Sequence, residues 1–329
     1  MKPAVSACAM TRREMIRRTS MVAAGVGLAG YVWPLNAASA KTKKVLFFSK
    51  SSGYEHSVIK RNRTELSFAE KILAGLGPKN GIEFTFSKDG SLFSPEYVAQ
   101  FDAFCFYTLD SPLVVGTDGF PAMTPAGKAA LLDAVKNGKG FIGVHSASDT
   151  FHSNAGEDGK TKEHLSRYKN YGAQADDYTK MLGGEFIAHS TKQQKAKLRV
   201  TDGKFPGLQN AGAEIELMEE WYSLKEFADD LHVILVQETA GMDGAPYQRP
   251  DYPSTWTRMH GQGRVFYTAM GHREDVWTNP LFQEILFGGI AWAVRNVDAD
   301  VTPNLKKVTP SCDELPPVTA TKPAEIKTS

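Results

Sequence analysis

The sequence predicts an α/β fold in which a mostly parallel sheet is covered by helices on both faces. Short apolar runs, typical of buried strands, alternate with helix-forming segments over residues 44–145. A strand, a helix and a second strand at this spacing are typical of a parallel βαβ unit. With 42% hydrophobic and 23% charged residues among 329, the chain also has the composition of a globular protein with a large core.

The first half of the chain contains the regular part of this pattern. A helix over 61–76 has one apolar face and ends at Gly77. A second helix starts at Thr124, an N-cap residue followed by proline, and ends at Gly138. These helices alternate with four predicted strands, at 44–49, 83–86, 101–109 and 141–145.

The second half is less regular. Residues 156–171 are polar and predict a long loop, which a short helix over 176–182 follows. Gly261 and Gly263 lie between two apolar runs and predict a β-hairpin, and Asn279 then begins a strongly apolar helix that ends near residue 294. Further strands are predicted at 197–200, 214–218, 232–236, 256–260 and 264–270.

The first forty residues predict an export signal rather than part of the fold. Arg12 and Arg13 begin a twin-arginine pattern, a short Gly- and Ala-rich apolar run covers 21–33, and an A-x-A cleavage site ends at Ala40. The apolar run is too short for a membrane span in the mature protein. We therefore expect a twin-arginine signal peptide over 1–40, the twin-arginine translocation machinery as its partner, and a periplasmic or otherwise extracytoplasmic mature protein. An uncleaved N-terminal anchor is the alternative.

The rest of the chain divides into one domain over 41–296 and a Pro-rich, flexible tail over 297–329. The leader holds five of the 38 basic residues and one of the 37 acidic residues, which leaves 33 and 36. The resulting net charge of −3 does not indicate a nucleic-acid partner. Cys105 lies in an apolar run and Cys312 in the tail, so we expect no disulfide between them.

Polar side chains follow several of the predicted strands. In an open parallel sheet, ligands bind beyond the carboxyl ends of the strands. Tyr54 and His56 come after the first strand, His145 and Asp149 after the fourth, and His272 after the second strand of the hairpin. We therefore expect these side chains to line one edge of the sheet.

His145 has the most informative sequence context. It is the central residue of Gly143-Val-His-Ser-Ala147, which has the small-x-X-x-small form of a nucleophile elbow. In hydrolases the central residue is Ser or Cys. An imidazole there suits a general base or a metal ligand better than a covalent acyl carrier. A histidine that only caps the turn is the alternative.

Histidines and carboxylates of the kind that bind metals recur further along the chain. His189 follows a Gly-Gly turn, and Glu220 precedes Tyr222 in an aromatic segment. With His145 and His272, these residues offer the ligand types of a zinc, manganese or iron site, so a divalent metal is one candidate cofactor. The metal ligands would be His145, His189 and His272. Metal-binding spacings such as H-x-x-x-H and C-x-x-C, and the glycine motifs of nucleotide sites, are absent from the sequence.

Several short motifs, taken together and in order, resemble the ThuA-like (trehalose utilisation) family over residues 44–294. No single motif is specific, but their order is. The motifs are Gly53-Tyr-Glu-His56, Gly140-Phe-Ile-Gly-Val-His145, Leu182-Gly-Gly-Glu-Phe-x-x-His189, Glu219-Glu-Trp-Tyr222, Trp256-Thr-Arg258, Gly261-x-Gly-Arg-Val-Phe-Tyr-Thr268, Gly271-His272 and Gly289-Ile-Ala-Trp292.

The resemblance implies a flavodoxin-like, doubly wound fold similar to that of class I glutamine amidotransferases, with a C-terminal hairpin and helix. His145 stands where those enzymes have a catalytic cysteine, so amidotransfer is not expected. The resemblance also implies a role in sugar catabolism, often beside dehydrogenases that make 3-keto sugars. Glu219 stands where the family usually has Asp, and His260 where an aromatic is usual.

These observations lead to one main hypothesis and two alternatives. We expect an exported enzyme, an isomerase, lyase or hydrolase, acting on a small-molecule carbohydrate such as a keto-sugar or keto-glycoside. The expected catalytic residues are His145, Asp149, Glu220 and His272. The expected substrate-binding residues are His56, Tyr54, Tyr222, Trp256 and Arg258, although Trp256 and Tyr222 also fit a core role. The alternatives are a non-catalytic carbohydrate-binding protein, and an amidase or protease on the same fold. The latter needs a nucleophile, and Ser146 and Ser148 flank the elbow position without occupying it.

Overall fold

The computed structural model describes residues 42–153 and 164–318. Its strands form one large and one small sheet. They are β1 (Lys43–Phe48), β2 (Ile82–Ser87), β3 (Ala103–Phe106), β4 (Gly140–Val144), β5 (Glu185–His189), β6 (Gln194–Val200), β7 (Glu214–Glu219), β8 (Tyr222–Lys225), β9 (His232–Gln237), β10 (Tyr252–His260) and β11 (Gly263–Thr268).

The helices lie mainly on the two faces of the large sheet. Where they begin follows from local capping, since Thr124 and Asn279 accept backbone N–H groups at helix starts that carry proline in the first turn. The helices are α1 (Phe68–Leu76), α2 (Pro95–Val98), α3 (Pro125–Lys136), α4 (Asp177–Leu182), α5 (Glu274–Thr278), α6 (Pro280–Ala293) and α7 (Leu305–Val308).

The large sheet has the strand order β2-β1-β3-β4-β11-β10-β9-β6-β7. The first five strands in this order run parallel to their neighbours, and the remaining pairings are antiparallel. An order of 2-1-3-4 with crossover helices is the flavodoxin-like, doubly wound arrangement. The predicted fold class is therefore confirmed, including the hairpin of β10 and β11 and the apolar helix α6.

Alternate residues of each central strand face opposite sides of the sheet. In β1, Val45 and Phe47 belong to one apolar core, and Leu46 and Phe48 belong to the other. Helices α1 and α6 cover the first side, and α3 covers the second. Because both faces are buried, the strand reads as an uninterrupted apolar run in the sequence.

The first helix is shorter than predicted. It begins at Phe68 because Ser67 and Glu70 form a reciprocal capping box that fixes the helix start. Arg61, which was predicted to lie within the helix, instead binds the Glu70 carboxylate, with Nη2 2.6 Å from Oε1. Residues 61–66 are therefore not helical.

The sequence pattern also missed the small antiparallel sheet formed by β5 and β8. These strands are only five and four residues long. The segment between them in the chain, which contains β6 and β7, joins the large sheet instead. As a result, β5 and β8 place His189 and Tyr222 opposite each other.

The predicted flexible tail is wrong for its described part, residues 297–318. Leu305 and Cys312 are buried, and the buried guanidinium of Arg249 donates hydrogen bonds to the carbonyl oxygens of Cys312 and Leu224. The recurrent prolines therefore lie in a segment that is irregular but packed against the rest of the protein. Cys105 and Cys312 are both buried free thiols.

The predicted leader over 1–40 lies outside the described residues, as do residues 319–329. Among the helices that are described, none has both the length and the apolar character needed to cross a membrane.

Candidate functional site

Four of the predicted residues meet at the carboxyl edge of the parallel strands. His145 directly follows β4, His272 follows β11, and His56 lies in the connection after β1. Glu220 joins them from the end of β7. One ligand atom from each of these four residues lies within 4.8 Å of all the others. We call His56, His145, Glu220 and His272 the histidine cluster.

The backbone at His145 makes the sharp turn that an elbow requires. Its φ of +46° lies in the left-handed region, which is unfavourable for a residue other than glycine. The fully buried ring is oriented by a 2.8 Å contact from Nδ1 to the carbonyl oxygen of Ala269. With the proton on Nδ1 for this bond, Nε2 is left with a lone pair, 3.6 Å from Oε2 of Glu220.

Glu220 is the central anion of the cluster. Its Oε2 lies 3.0 Å from Nδ1 of His272, and its Oε1 lies 3.6 Å from Nδ1 of His189. His189 therefore contacts the cluster through Glu220, although it is not among the four residues whose ligand atoms converge. The structure thus brings together His145, His272, Glu220 and His56, with His189 beside them.

Burial and charge set the protonation states of the cluster. Burial lowers the pKa of His56 well below its usual value, and burial also lowers the pKa of His145. Burial works against ionisation of Glu220, but the adjacent imidazoles of His145, His272 and His189 outweigh it and lower the pKa of this carboxyl. Burial opposes protonation of His272 as well, yet Glu220 raises its pKa. The cluster therefore favours neutral His56 and His145 beside an anionic Glu220.

This cluster fits a transition-metal ion. Nδ1 of His56, Nε2 of His145 and Nδ1 of His272 are all buried and lack a hydrogen-bond partner within the described residues. Buried polar atoms are nearly always satisfied in native proteins, so three unsatisfied nitrogens around one carboxylate require an explanation. Neutral imidazoles and a carboxylate are the ligand types that zinc, manganese and iron share.

Glu219 holds two parts of the cluster in place. Its Oε2 accepts the backbone N–H groups of Gly271 and His272 at 2.9 and 3.2 Å, and its Oε1 accepts that of Glu220 at 2.8 Å. Burial raises the pKa of Glu219 to about 7, against the effect of these backbone bonds. The residue that departs from the Asp of the family pattern therefore positions the cluster.

Two tyrosines flank the cluster in different ways. The buried ring of Tyr222 lies 4.2 Å from that of His145, measured between centroids, and stacks on His189 at 5.8 Å. Tyr54 is 48% exposed, and its ring lies 5.1 Å from that of His56. Tyr54 is thus an exposed aromatic at the rim, whereas Tyr222 supports the imidazoles from inside.

The structure does not bring the other two predicted substrate-binding residues to the cluster. Trp256 is fully buried in the core, where its indole N–H donates to the carbonyl oxygen of Leu182. Arg258 pairs with Asp230, with Nε 2.9 Å from Oδ1. Both face the side of β10 that packs against α4, because alternate residues of a strand share one face.

Asp149 belongs to a separate, buried ion-pair network that the sequence pattern did not reveal. Its Oδ1 lies 2.6 Å from Nε2 of His152 and 2.9 Å from Nη1 of Arg167. Glu185 contacts the other ring nitrogen of His152 and pairs with the buried Lys225 at 3.4 Å. Arg167 and Lys225 offset the charge of these carboxylates, so this network has the features of a buried ion-pair cluster.

The signals for this network were weak in the sequence. His152 and Arg167 lie at the borders of a polar segment that predicts only a solvated loop. Glu185 and Lys225 lie in the two short strands that were not predicted. The pairing of these two strands brings the charges of Glu185 and Lys225 together.

The family model described as "ThuA: Trehalose utilisation" matches residues 44–293. The chain belongs to the ThuA family. Membership connects it with trehalose utilisation and hence with carbohydrate catabolism, as the ordered motifs implied.

One solved structure, of a ThuA-like protein from Bacteroides uniformis, has the same fold. It has 19% sequence identity and a TM-score of 0.56, and the match covers 79% of this chain and 95% of that one. Another, from Parabacteroides merdae, has 15% identity and a TM-score of 0.47, with 82% of this chain and 96% of that one covered. Among curated proteins, no sequence matches this chain significantly.

Proposed function

We propose that this ThuA-family protein is an exported enzyme that acts on a sugar or keto-sugar through a divalent metal held by the histidine cluster. The observation that carries the proposal is the convergence of three unsatisfied, buried imidazole nitrogens on the Glu220 carboxylate. Family membership supports a carbohydrate as the substrate class.

Burial favours ligation over proton transfer as the role of His145. The side chain is fully buried, and its free Nε2 faces the other cluster atoms rather than open space. A bound metal would polarise a substrate carbonyl or activate a water molecule. His56 and His272 would complete the nitrogen ligands, with Glu220 supplying the negative charge.

His189 is the proposed general base beside this centre. Its Nδ1 lies 2.7 Å from the carbonyl oxygen of Ser190, so Nε2 carries the lone pair when Nδ1 donates. Its side chain is 27% exposed, in contrast to that of His145, and therefore accessible to a substrate. A C–H bond next to a keto group is acidic enough for an imidazole to take its proton, and this step begins an isomerisation or elimination.

Tyr54 is the proposed stacking platform for the sugar. An exposed aromatic ring at the rim of a polar site offers apolar contact to the C–H face of a sugar ring. Its contact with His56 places that face directly beside the cluster.

Export is proposed on the leader sequence alone. The twin-arginine pattern at Arg12 and Arg13, the weakly apolar run and the A-x-A site support it. In a reporter fusion of the leader, replacing both arginines with lysine is expected to stop export. Continued export of the reporter would exclude the twin-arginine route.

The test of function is turnover of keto-glycosides by the purified protein and two variants. Asn tolerates a left-handed backbone, so His145→Asn removes the imidazole without adding strain at φ +46°. We expect His145→Asn to lose both metal and turnover, and His189→Gln to lose turnover while it keeps its metal. Unchanged turnover in both variants, with the fold intact by circular dichroism, would contradict the proposal. The proposal would also be contradicted if neither the wild type nor the variants formed any product.

A further inference from the structure

Buried tyrosines surround the histidine cluster. Among the described residues six tyrosines are buried, and the hydroxyl groups of five of them each donate a hydrogen bond of 2.6 to 3.1 Å to a main-chain carbonyl oxygen. The accepting residues are His145, Ala147, Trp221, Tyr222 and Gly271, and their donors, in the same order, are Tyr267, Tyr178, Tyr247, Tyr252 and Tyr107. Each accepting residue is a member of the cluster or lies within two residues of one in the chain.

A phenol hydroxyl is unfavourable in an ordinary core position. Phenylalanine has nearly the shape of tyrosine and needs no hydrogen-bond partner, whereas a buried hydroxyl without a partner is destabilising. The five donors come from the end of β3, from α4, from β10 and the turn before it, and from β11. Their convergence on the carbonyl groups around one site is therefore a feature of the tertiary structure and not of one local segment.

Tyr267 holds the backbone of His145. Its hydroxyl donates at 2.9 Å to the carbonyl oxygen of His145, the residue with a φ of +46°. A left-handed backbone at a residue other than glycine persists only where surrounding contacts hold it. This hydrogen bond fixes the peptide group at the turn, and with it the direction of the His145 imidazole.

Tyr107 holds the peptide group that precedes His272. Its hydroxyl donates at 3.0 Å to the carbonyl oxygen of Gly271, whose φ of +120° is rarely accessible to residues with a side chain. The ring of Tyr107 also lies 5.3 Å from that of His56 and 5.8 Å from that of His145, measured between centroids. Tyr107 therefore packs beside two cluster residues and fixes the backbone next to a third.

We propose that Tyr107 and Tyr267 are positioning residues that hold the imidazoles of His272 and His145 at the spacing of one metal ion. They act through main-chain carbonyl oxygens rather than as ligands. The inference rests on the proposed function, since it assumes that the histidine cluster binds a metal. It adds to that function the groups that keep the ligands in place before the metal arrives.

The test compares Tyr107→Phe and Tyr267→Phe with the wild type, each as the purified full chain. Both substitutions remove one hydroxyl and keep the ring. The matched control is Thr309→Val, which removes another buried hydroxyl that donates to a main-chain carbonyl, that of Leu305 at 3.1 Å in the C-terminal segment.

Three quantities are measured on each protein. Competition with a chelator gives the zinc affinity. The visible absorption of the cobalt(II)-loaded protein reports the geometry of the ligands around the metal. Denaturant unfolding of the metal-free protein shows how much each hydroxyl contributes to stability, apart from any effect on the metal.

We expect each Phe variant to bind zinc at least about tenfold more weakly than the wild type, with an altered cobalt spectrum. Thr309→Val should match the wild type in both measurements, although it loses a similar amount of unfolding free energy. Unchanged zinc affinity in either Phe variant would overturn the inference for that tyrosine, and an equal loss of affinity in Thr309→Val would overturn it for both, while the metal centre stands. Absence of zinc and cobalt binding by the wild type would overturn the metal centre and this inference with it.

Discussion

Oε2 of Glu220 lies 3.0 Å from Nδ1 of His272, yet the two atoms do not have the geometry of a hydrogen bond. The same oxygen lies 3.6 Å from Nε2 of His145, which is also unsatisfied. The carboxylate therefore lies close to several imidazole nitrogens without forming a well-directed hydrogen bond to them. Ligand atoms around a shared metal ion have this arrangement. This relationship is the basis of the proposed function.

The first prediction concerns Glu219 as a positioning residue. Replacing Glu219 with Ala removes the acceptor for three backbone N–H groups, two of them on cluster residues. Residues that orient metal ligands typically contribute about 10- to 100-fold to metal affinity, and we expect a loss in that range. Competition with a chelator measures it. If the folded variant binds metal as tightly as the wild type, Glu219 does not have this role.

The second prediction concerns Tyr54. Because the ring is largely exposed, Tyr54→Ala should leave Tm nearly unchanged but weaken sugar binding by roughly 5- to 30-fold, the equivalent of about 1–2 kcal/mol of lost apolar contact. Tyr54→Phe is the control, since it retains the ring and should bind as the wild type does. If Tyr54→Ala binds sugar normally in a titration, the platform lies elsewhere.

The third prediction is a pH dependence of stability at the buried ion-pair network. Burial alone would raise the pKa of Glu185, but His152 and Lys225 outweigh it and lower this pKa to about 2. Because the pKa of Glu185 is lower in the folded protein than its value near 4.5 in the unfolded chain, its ionised carboxylate stabilises the fold at pH values above about 4.5. This stabilisation is lost as the pH falls toward 2. For a shift of this size the contribution is roughly 3 kcal/mol.

Denaturant unfolding of Glu185→Gln and wild type between pH 7 and pH 3 measures this contribution. The difference in unfolding free energy should be largest at neutral pH and should shrink as the pH falls below about 4.5. Glu216→Gln is the control, because Glu216 forms an exposed pair with Lys195 and should show little difference at any pH. A difference that is constant with pH would mean that Glu185 is not held as an anion by the network.

The fourth prediction concerns the packed C-terminal segment. Arg249→Ala removes buried hydrogen bonds to Ser223, Leu224 and Cys312, and we expect a loss of about 2–4 kcal/mol in unfolding free energy. Lys306→Ala, which removes an exposed pair with Asp313, should cost less than about 1 kcal/mol. Equal stability of the two variants would show that the segment is not anchored through Arg249.

The sequence was most informative where chemistry follows from strand direction. His56, His145 and His272 each come shortly after a parallel strand, and parallel strands end at one edge, so their meeting could be predicted. The motif order also identified Glu220 and His189 as candidates. It could not show that Glu220 would reach this edge, because β7 is an antiparallel strand at the far side of the sheet.

The sequence was least informative where a single residue's direction decides its role. Asp149 follows His145 by one short turn, and that turn directs its carboxylate to His152 and Arg167 rather than to the cluster. Trp256 and Tyr222 are equally aromatic in the sequence. Strand pairing buries the first in the core and places the second against His145.

The most direct test of the account is elemental analysis of the purified protein after incubation with zinc, manganese or iron and removal of the excess. We expect about one equivalent of metal per chain in the wild type, as a single four-ligand centre requires. The metal should be lost in His145→Asn combined with His272→Ala, and retained in His260→Ala, which changes a histidine at the opposite end of the hairpin. Absence of stoichiometric metal from the wild type under all three conditions would contradict the central claim.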